Sequence, residues 1–425
     1  MLPKPRVYYG WYIAWSYFFM NFYWGGALLA GFSALFIPIK ESFGLTATLI
    51  AVAISLRYGM AVIGSPVVRY LFDRHGPRSL MLFATFATGG GLLLLIISQS
   101  TLMLFISFAI ASVGFAIYIA GTGPAVAANW FVRQRGRAIG IVLAGGGFGG
   151  PLVSMVVWLE GQWDWRTALA IIIAGLMIVG IPGSLILRHK PEQYGLRPDG
   201  DQPQGADVKW PERPATMVPS ATESSISVAQ ALKTPALWLT VSGFVIVSLG
   251  SGAINLLFIP HLVDQGFSPT TAGWTFAAMG AINIGTTLMV GWVSDVVDRR
   301  SLIIASYLMQ GGRLAIFAFA TELWHLVPFV ILFALGPRVS LLLVSSLLAD
   351  YFGRPDFGKI QSVLFSGLTA ANVVGPVVAG AVHDITGSYT LIFAGYASSV
   401  VIAVLVTALV NRPRQEIPAG AGSAG

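Results

Sequence analysis

The chain contains no cysteine, which excludes disulfides, thiolate catalysis and cysteine-ligated metals. Charge is also scarce: charged residues make up 10% of the 425, where an ordinary soluble domain carries about 25%. The acids are missing from a particular place, since no Asp or Glu lies deep within any long apolar run. HExxH, GxSxG and P-loop patterns are absent as well, so metallohydrolase, serine-esterase and ATP-driven readings lose the residues their chemistry requires. A non-enzymatic protein with no catalytic residues, cofactor or metal is expected.

What is present is apolar. Hydrophobic residues are 55% of the chain and the mean hydropathy is +0.75. A helix needs about 20 apolar residues to cross a bilayer, and that rule predicts spans near 10–39, 46–72, 79–98, 102–130, 137–159 and 166–188. A second set follows near 235–263, 269–294, 301–320, 324–350, 359–383 and 389–411. The first run is too long for a signal-peptide core and is expected to stay as the first span. A net charge of +7 would suit nucleic acid, but its distribution argues against that partner. With these spans, Lys4, Arg6, Arg74, Arg78, Arg133, Arg135, Arg137, Arg188, Lys190, Arg299, Arg300 and others share one side, while Lys40 and Arg166 alone remain on the other. Such asymmetry predicts a multi-pass protein of the cytoplasmic membrane with both termini cytoplasmic.

The stretch Asn129–Pro151, NWFVRQRGRAIGIVLAGGGFGGP, joins two spans through a basic loop and then packs glycines into an apolar helix. Those glycines are expected to let neighbouring helices approach to backbone contact. The chain also repeats itself. RYLFDRHGPR at 69–78 and GWVSDVVDRR at 291–300 align with Asp73 on Asp295 and Arg78 on Arg300, and Asp350-Tyr-Phe-Gly-Arg354 echoes Asn129-Trp-Phe-Val-Arg133 at almost the same spacing. The expected organisation is a bundle over 1–188, a cytoplasmic linker over 189–234, a bundle over 235–411 and a low-complexity cytoplasmic tail over 412–425. The linker is too polar for a packed core, though SSISVAQALKTPALW within it suits a short surface helix. Duplicated bundles of this kind are a transporter architecture with the substrate site between the halves.

RYLFDRHGPR resembles the loop motif of the major facilitator superfamily, and YYGWYI, NWFVRQRGRAIGI, WDWRTAL and KPEQYGLRPDG resemble its bacterial monocarboxylate and oxalate–formate porter branch. The resemblance implies an all-α membrane protein of twelve transmembrane helices in two pseudo-symmetric six-helix bundles. It also implies that Asp73, Arg78, Asp295 and Arg300 gate the cytoplasmic side, with simple loop capping the competing reading for each. Tyr118 matches a family cavity tyrosine. Two family features are missing: Asn283 is kept, but Thr287 stands where carboxylate porters commonly carry arginine, and Leu368 where the oxalate–formate type has lysine.

Three arginines fall inside spans: Arg57, Arg313 and Arg338. A membrane-embedded charge costs roughly 2.5–3.5 kcal/mol on insertion scales and usually has a task. Arg57 and Arg338, the latter just after Gly336-Pro337, are expected to contact substrate, whereas Arg313 is expected to pack with a carbonyl partner. Arginine forks onto carboxylates, so cations without buried acids favour an anion as cargo. Asn21, Asn255, Asn283 and Tyr118 join the expected site. Asn372 is read either as a site amide or as a tie between helices, and His261 and His383 as interfacial residues near span ends. The expected function is secondary transport of a small organic anion, with a monocarboxylate leading, by proton symport or anion exchange in a monomer. Another small solute, or a non-transporting receptor, is the alternative.

Overall fold

A computed structural model describes residues 8–120, 122–200, 228–293, 299–352 and 357–410. Among the described residues all regular structure is helical. In chain order the helices are α1 (Tyr9–Tyr23), which runs into a π-helical segment Trp24–Ala30, α2 (Phe32–Ser42), α3 (Ala47–Ile97), α4 (Thr101–Ile119), α5 (Thr122–Trp130), α6 (Arg135–Gly147), α7 (Gly150–Gln162) and α8 (Trp165–Ile186). A short α9 (Val228–Ala231) precedes α10 (Pro235–Asp264), α11 (Pro269–Val293), α12 (Arg299–Ala318), α13 (Leu323–Leu335), α14 (Pro337–Phe352), α15 (Phe357–Thr386) and α16 (Thr390–Ala408). Among the described residues, nine helical stretches are long and apolar enough to cross a membrane. The protein is a multi-pass membrane protein.

Local chemistry explains where helices begin. Thr46, Ser100 and Asp164 each accept from the backbone N–H three residues on, at 3.3, 3.3 and 3.1 Å, capping α3, α4 and α8. The 51 residues of α3 would run about 77 Å if straight, more than twice a bilayer's hydrocarbon. They do not, because Gly76 takes φ +75° and reverses the chain before Pro77. The two spans expected at 46–72 and 79–98 are therefore an antiparallel pair on either side of that glycine.

One end of the molecule carries the start of α1 and the end of α8, tied by Tyr9 Oη donating to the Ile186 carbonyl at 2.9 Å. We call it the terminal face and the opposite end the far face. The helices form two groups, α1–α8 and α10–α16. The apolar core is not divided at that boundary. One cluster fills the first group and continues into the far-face parts of the second, through Ile254, Phe258, Phe317, Phe329 and Phe393. The terminal-face part of the second group, with Leu237, Phe244, Tyr307, Leu348 and Phe352, forms a cluster of its own.

The glycine run sits where three helices meet. A Cβ on Gly26 would collide with the Gly149 carbonyl oxygen, and one on Gly150 would lie 2.7 Å from the Ala277 Cα. Gly149 and Gly150, adjacent in the run, thus face different partners, one in its own group and one in the other. Small residues permit this approach, as expected.

The segment after α8 is more ordered at its start than a solvated linker. Turns follow at Pro191–Tyr194 and Pro198–Gly200, and the second docks on the α5–α6 loop. Asp199, at φ +58°, accepts from the backbone N–H groups of Val132 and Arg133 at 2.9 and 2.8 Å. Arg188 lies between the Tyr9 and Tyr194 rings, 4.1 Å from each centroid. A polar composition hid this because its stability comes from backbone donors on another segment, not from an apolar core.

Candidate functional site

Within the first group, α1, α4, α5 and α6 enclose a cavity of about 210 Å³ lined by Tyr17, Asn21, Tyr118, Thr122, Leu143 and Gly146. Tyr17 Oη donates to Thr122 Oγ1 at 3.2 Å. Asn21 Nδ2 donates to the Val142 carbonyl at 2.6 Å, so this amide fastens α1 to α6 with one of its two N–H donors. Tyr118 stacks on Trp24 at 4.9 Å and 16° between planes. Among the described residues its hydroxyl has no partner, leaving a polar tip on a fixed ring at the cavity wall.

Arg57 is 4% exposed. Its Nη1 donates to the Leu28 carbonyl in the π segment at 3.4 Å, and its guanidinium lies over the Tyr58 and Phe115 rings at 5.3 and 5.7 Å. Its Nε has no partner. The three contacts hold a cation by ring faces and one weak carbonyl bond, with no carboxylate among the described residues.

Arg313 is the more buried of the two, at 0% exposed on α12. Its partner is a hydroxyl, not the carbonyl that sequence suggested: Nη2 donates to Ser251 Oγ on α10 at 2.6 Å. Phe333 covers the guanidinium at 4.7 Å, while Nε and Nη1 have no partner. Ser251 Oγ donates onward to Gln310 Oε1 at 3.3 Å, and Gln310 Nε2 donates to Ser340 Oγ at 2.9 Å. Ser340 Oγ ends the chain on the Gly336 carbonyl at 3.1 Å. A buried polar line therefore joins α12, α10 and the kink between α13 and α14. Sequence reasoning missed Ser251, Gln310 and Ser340, although Gln310 stands one helical turn before Arg313, on the same face.

Asn255 is half-buried on α10, one turn beyond Ser251. Asn372 Nδ2 donates to the Leu368 carbonyl of its own helix at 2.8 Å, which removes one of its donors from any site. His261 is fully buried rather than interfacial. Its Nε2 donates to the Phe317 carbonyl at 2.7 Å, and the Phe317 and Phe393 rings pack on it. His383 Nε2 lies 3.5 Å from Asp264 Oδ2. Asp73 and Arg78 are exposed on α3 and make no ion pair among the described residues; Arg300 is half-buried on α12. Asp295, and the side chains of Asn283, Thr287 and Arg338, lie outside the described residues.

The two groups are joined at the far face. Asp384 on α15 accepts from the Ala47 and Thr48 backbone N–H groups at 2.8 and 2.9 Å, and from the Thr48 hydroxyl. It thereby covers the first N–H groups of α3, where the helix dipole favours an anion. Ser33 Oγ accepts from the Ile259 N–H at 3.0 Å, and a Cβ on Gly380 would lie 2.9 Å from the Ala47 backbone. Every described hydrogen bond between the groups lies on this side.

The family model for the Major Facilitator Superfamily matches residues 13–260 and 240–425. Monocarboxylate transporter 2 of Homo sapiens is 23% identical over 94% of this chain and 85% of its own length. Monocarboxylate transporter 13 of Bos taurus is 24% identical, covering 90% and 85% respectively. The fujikurins efflux protein of Gibberella fujikuroi is 23% identical over 80% of this chain and 69% of its own. Among solved structures, the nucleoside transporter NupG aligns with a TM-score of 0.72 at 14% identity, covering 95% of this chain and 100% of that one. A D-xylose–proton symporter gives 0.72 at 16% identity, over 95% and 99%. At these identities the structural likeness carries the fold alone.

Proposed function

Because the chain belongs to the Major Facilitator Superfamily, and is a transport protein rather than an enzyme, we propose that it moves a small organic anion, with a monocarboxylate first, by alternating access. One observation carries this reading: guanidiniums are buried at membrane depth in both halves, Arg57 and Arg313, with no acid paired to either among the described residues. Arginine keeps its charge, so the interior holds positive potential that an anionic cargo offsets. The resemblance of the chain to proteins named monocarboxylate transporters supports the same class.

In this reading Arg338 and Arg57 bear on the carboxylate, while Tyr118, Asn255, Asn283 and Asn21 border the cargo. Tyr118 offers a free hydroxyl and Asn21 an amide oxygen. Asp73, Arg78, Asp295 and Arg300 close the terminal face when the far face opens. The terminal face is cytoplasmic, in keeping with its arginines, and the membrane is the cytoplasmic one. The protein works as a monomer, by proton symport or anion exchange; a carboxylate can carry its own proton, and no deep acid is needed.

The test is uptake of radiolabelled small acids into proteoliposomes, with and without a pH gradient. Arg338→Lys keeps the charge and loses the fork, so affinity should fall about tenfold or more, since each 1.4 kcal/mol is a factor of ten. Arg338→Gln should nearly abolish uptake. Wild-type affinity in Arg338→Gln would remove the anion reading.

A further inference from the structure

Between the terminal-face ends of α3 and α5 and the turn after α8 lies a groove of about 920 Å³. Arg69, Lys190 and Asn129 stand along it, and Val68, Phe72 and Ala125 supply apolar surface. Thr122 borders both this groove and the cavity of Tyr118, so the two spaces adjoin across one residue. The internal repeat marks Arg69 as a departure. The spacing that sets Asp73 against Asp295 sets Arg69 against Gly291; one half carries a cation where the other carries no side chain. Arg69 and Lys190 are exposed, and neither has a hydrogen-bond or ion-pair partner among the described residues.

The charges in the groove nearly decide what fits. Asp73 also borders it and offsets one of the two cations. His189 is pushed below its ordinary value by burial and by Lys190, with Asp73 opposing, so it adds little charge near neutral pH. One net positive charge beside an apolar wall suits a monoanion with an apolar body better than a dianion.

We propose that this groove is a second anion site, which takes a small monocarboxylate with its charged end on Arg69 and Lys190 and its body against Val68 and Phe72, next to Thr122 and the inner cavity. The proposal rests on the carboxylate reading of that cavity. The volume falls in the range of ligand sites, about 300–1,000 Å³.

The absence of native cysteine makes the test direct. Ala125→Cys, at an exposed position in the groove, introduces the one thiol of the purified full chain. Its rates of modification by sulfonatoethyl and by trimethylammonioethyl methanethiosulfonate are compared, with benzoate as the protecting probe. The anionic-to-cationic rate ratio should fall at least about tenfold in Arg69→Gln/Lys190→Gln, since two nearby unit charges act oppositely on the two reagents. Benzoate should slow modification in the parent and not in the double variant. A ratio indifferent to both substitutions, or benzoate protection that survives them, overturns the proposal. Uptake of carboxylates into proteoliposomes reports on the inner cavity separately. Protection without uptake of any acid would keep the groove as an anion site and remove the transport reading; uptake without protection would do the reverse.

Discussion

The far face and the terminal face of this molecule are built from different materials. At the far face the two halves meet through glycines, alanines and backbone groups, with one carboxylate, Asp384, seated on the first N–H groups of α3. At the terminal face the first half presents Arg69, Asp73 and Lys190 along an open groove, and the core of the second half is a separate cluster. Close backbone packing is unforgiving of added atoms, whereas charged side chains on a wet surface can exchange partners at small cost. In the proposed alternating access, the halves would rock between a tight, nearly neutral seam on one side and a charged, re-pairable one on the other.

The comparison breaks most sharply at Gly150. Leucine there has no room against the Ala277 backbone, so Gly150→Leu should hold the far face apart and lower transport more than about a hundredfold, about 2.8 kcal/mol at 1.4 per decade. Spin labels at Glu41→Cys and Ile385→Cys should read a longer far-face distance; an unchanged distance would mean the seam tolerates bulk. Next comes Asp384→Ala, which removes a charged acceptor from three donors. Charge-assisted bonds contribute about 1.5–3 kcal/mol, so the far-open population in the same label pair should rise about tenfold or more. Equal populations would reduce Asp384 to a local cap.

Asp73→Asn probes the other seam. Turnover should drop several-fold with affinity little changed, because the residue is proposed to act only when the terminal face closes. Loss of affinity with normal turnover would place it in the cargo site instead. The smallest effect concerns His189, whose folded-state pKa is lowered. Its neutral form is the one the fold accommodates, so stability is complete above the ordinary imidazole range and is lost as pH falls through the lowered value. His189→Gln should reduce the acid-side loss of melting temperature; an identical pH profile would show that other groups dominate.

Much of this was readable in the sequence because membranes impose simple rules. The apolar runs gave the helices, and the glycines of Asn129–Pro151 marked the place where three of them meet. The repeat around Asp73 and Asp295 is a feature of the sequence alone, since Asp295 lies outside the described residues. Other features depend on pairings between distant segments, which periodicity does not report. Asp384 reads as a loop acid until Ala47 and Thr48 arrive beneath it. Asp199 sits in a polar stretch that looks solvated, yet it binds N–H groups of another loop. Arg313 was expected to meet a carbonyl, but its hydrogen bond crosses to Ser251 on α10 and continues through Gln310. Asn21 borders a cavity, but commits one amide N–H to the Val142 carbonyl on α6. His261, expected near the membrane surface, is enclosed by aromatic rings on α12 and α16.

The π-helical segment Trp24–Ala30 has a consequence for register. A wide turn accommodates a residue that an α-helix would place about 100° further round the axis. Asn21, before the segment, points to its own half at Val142; Ser33, after it, meets the other half at Ile259. Deleting one residue between them would let α1 and α2 join as a single regular helix, and would turn one of those two side chains away from its partner. The azimuth between the two contacts is thus set by chain length rather than by residue type, and a one-residue deletion here should do more harm than most substitutions at the same positions.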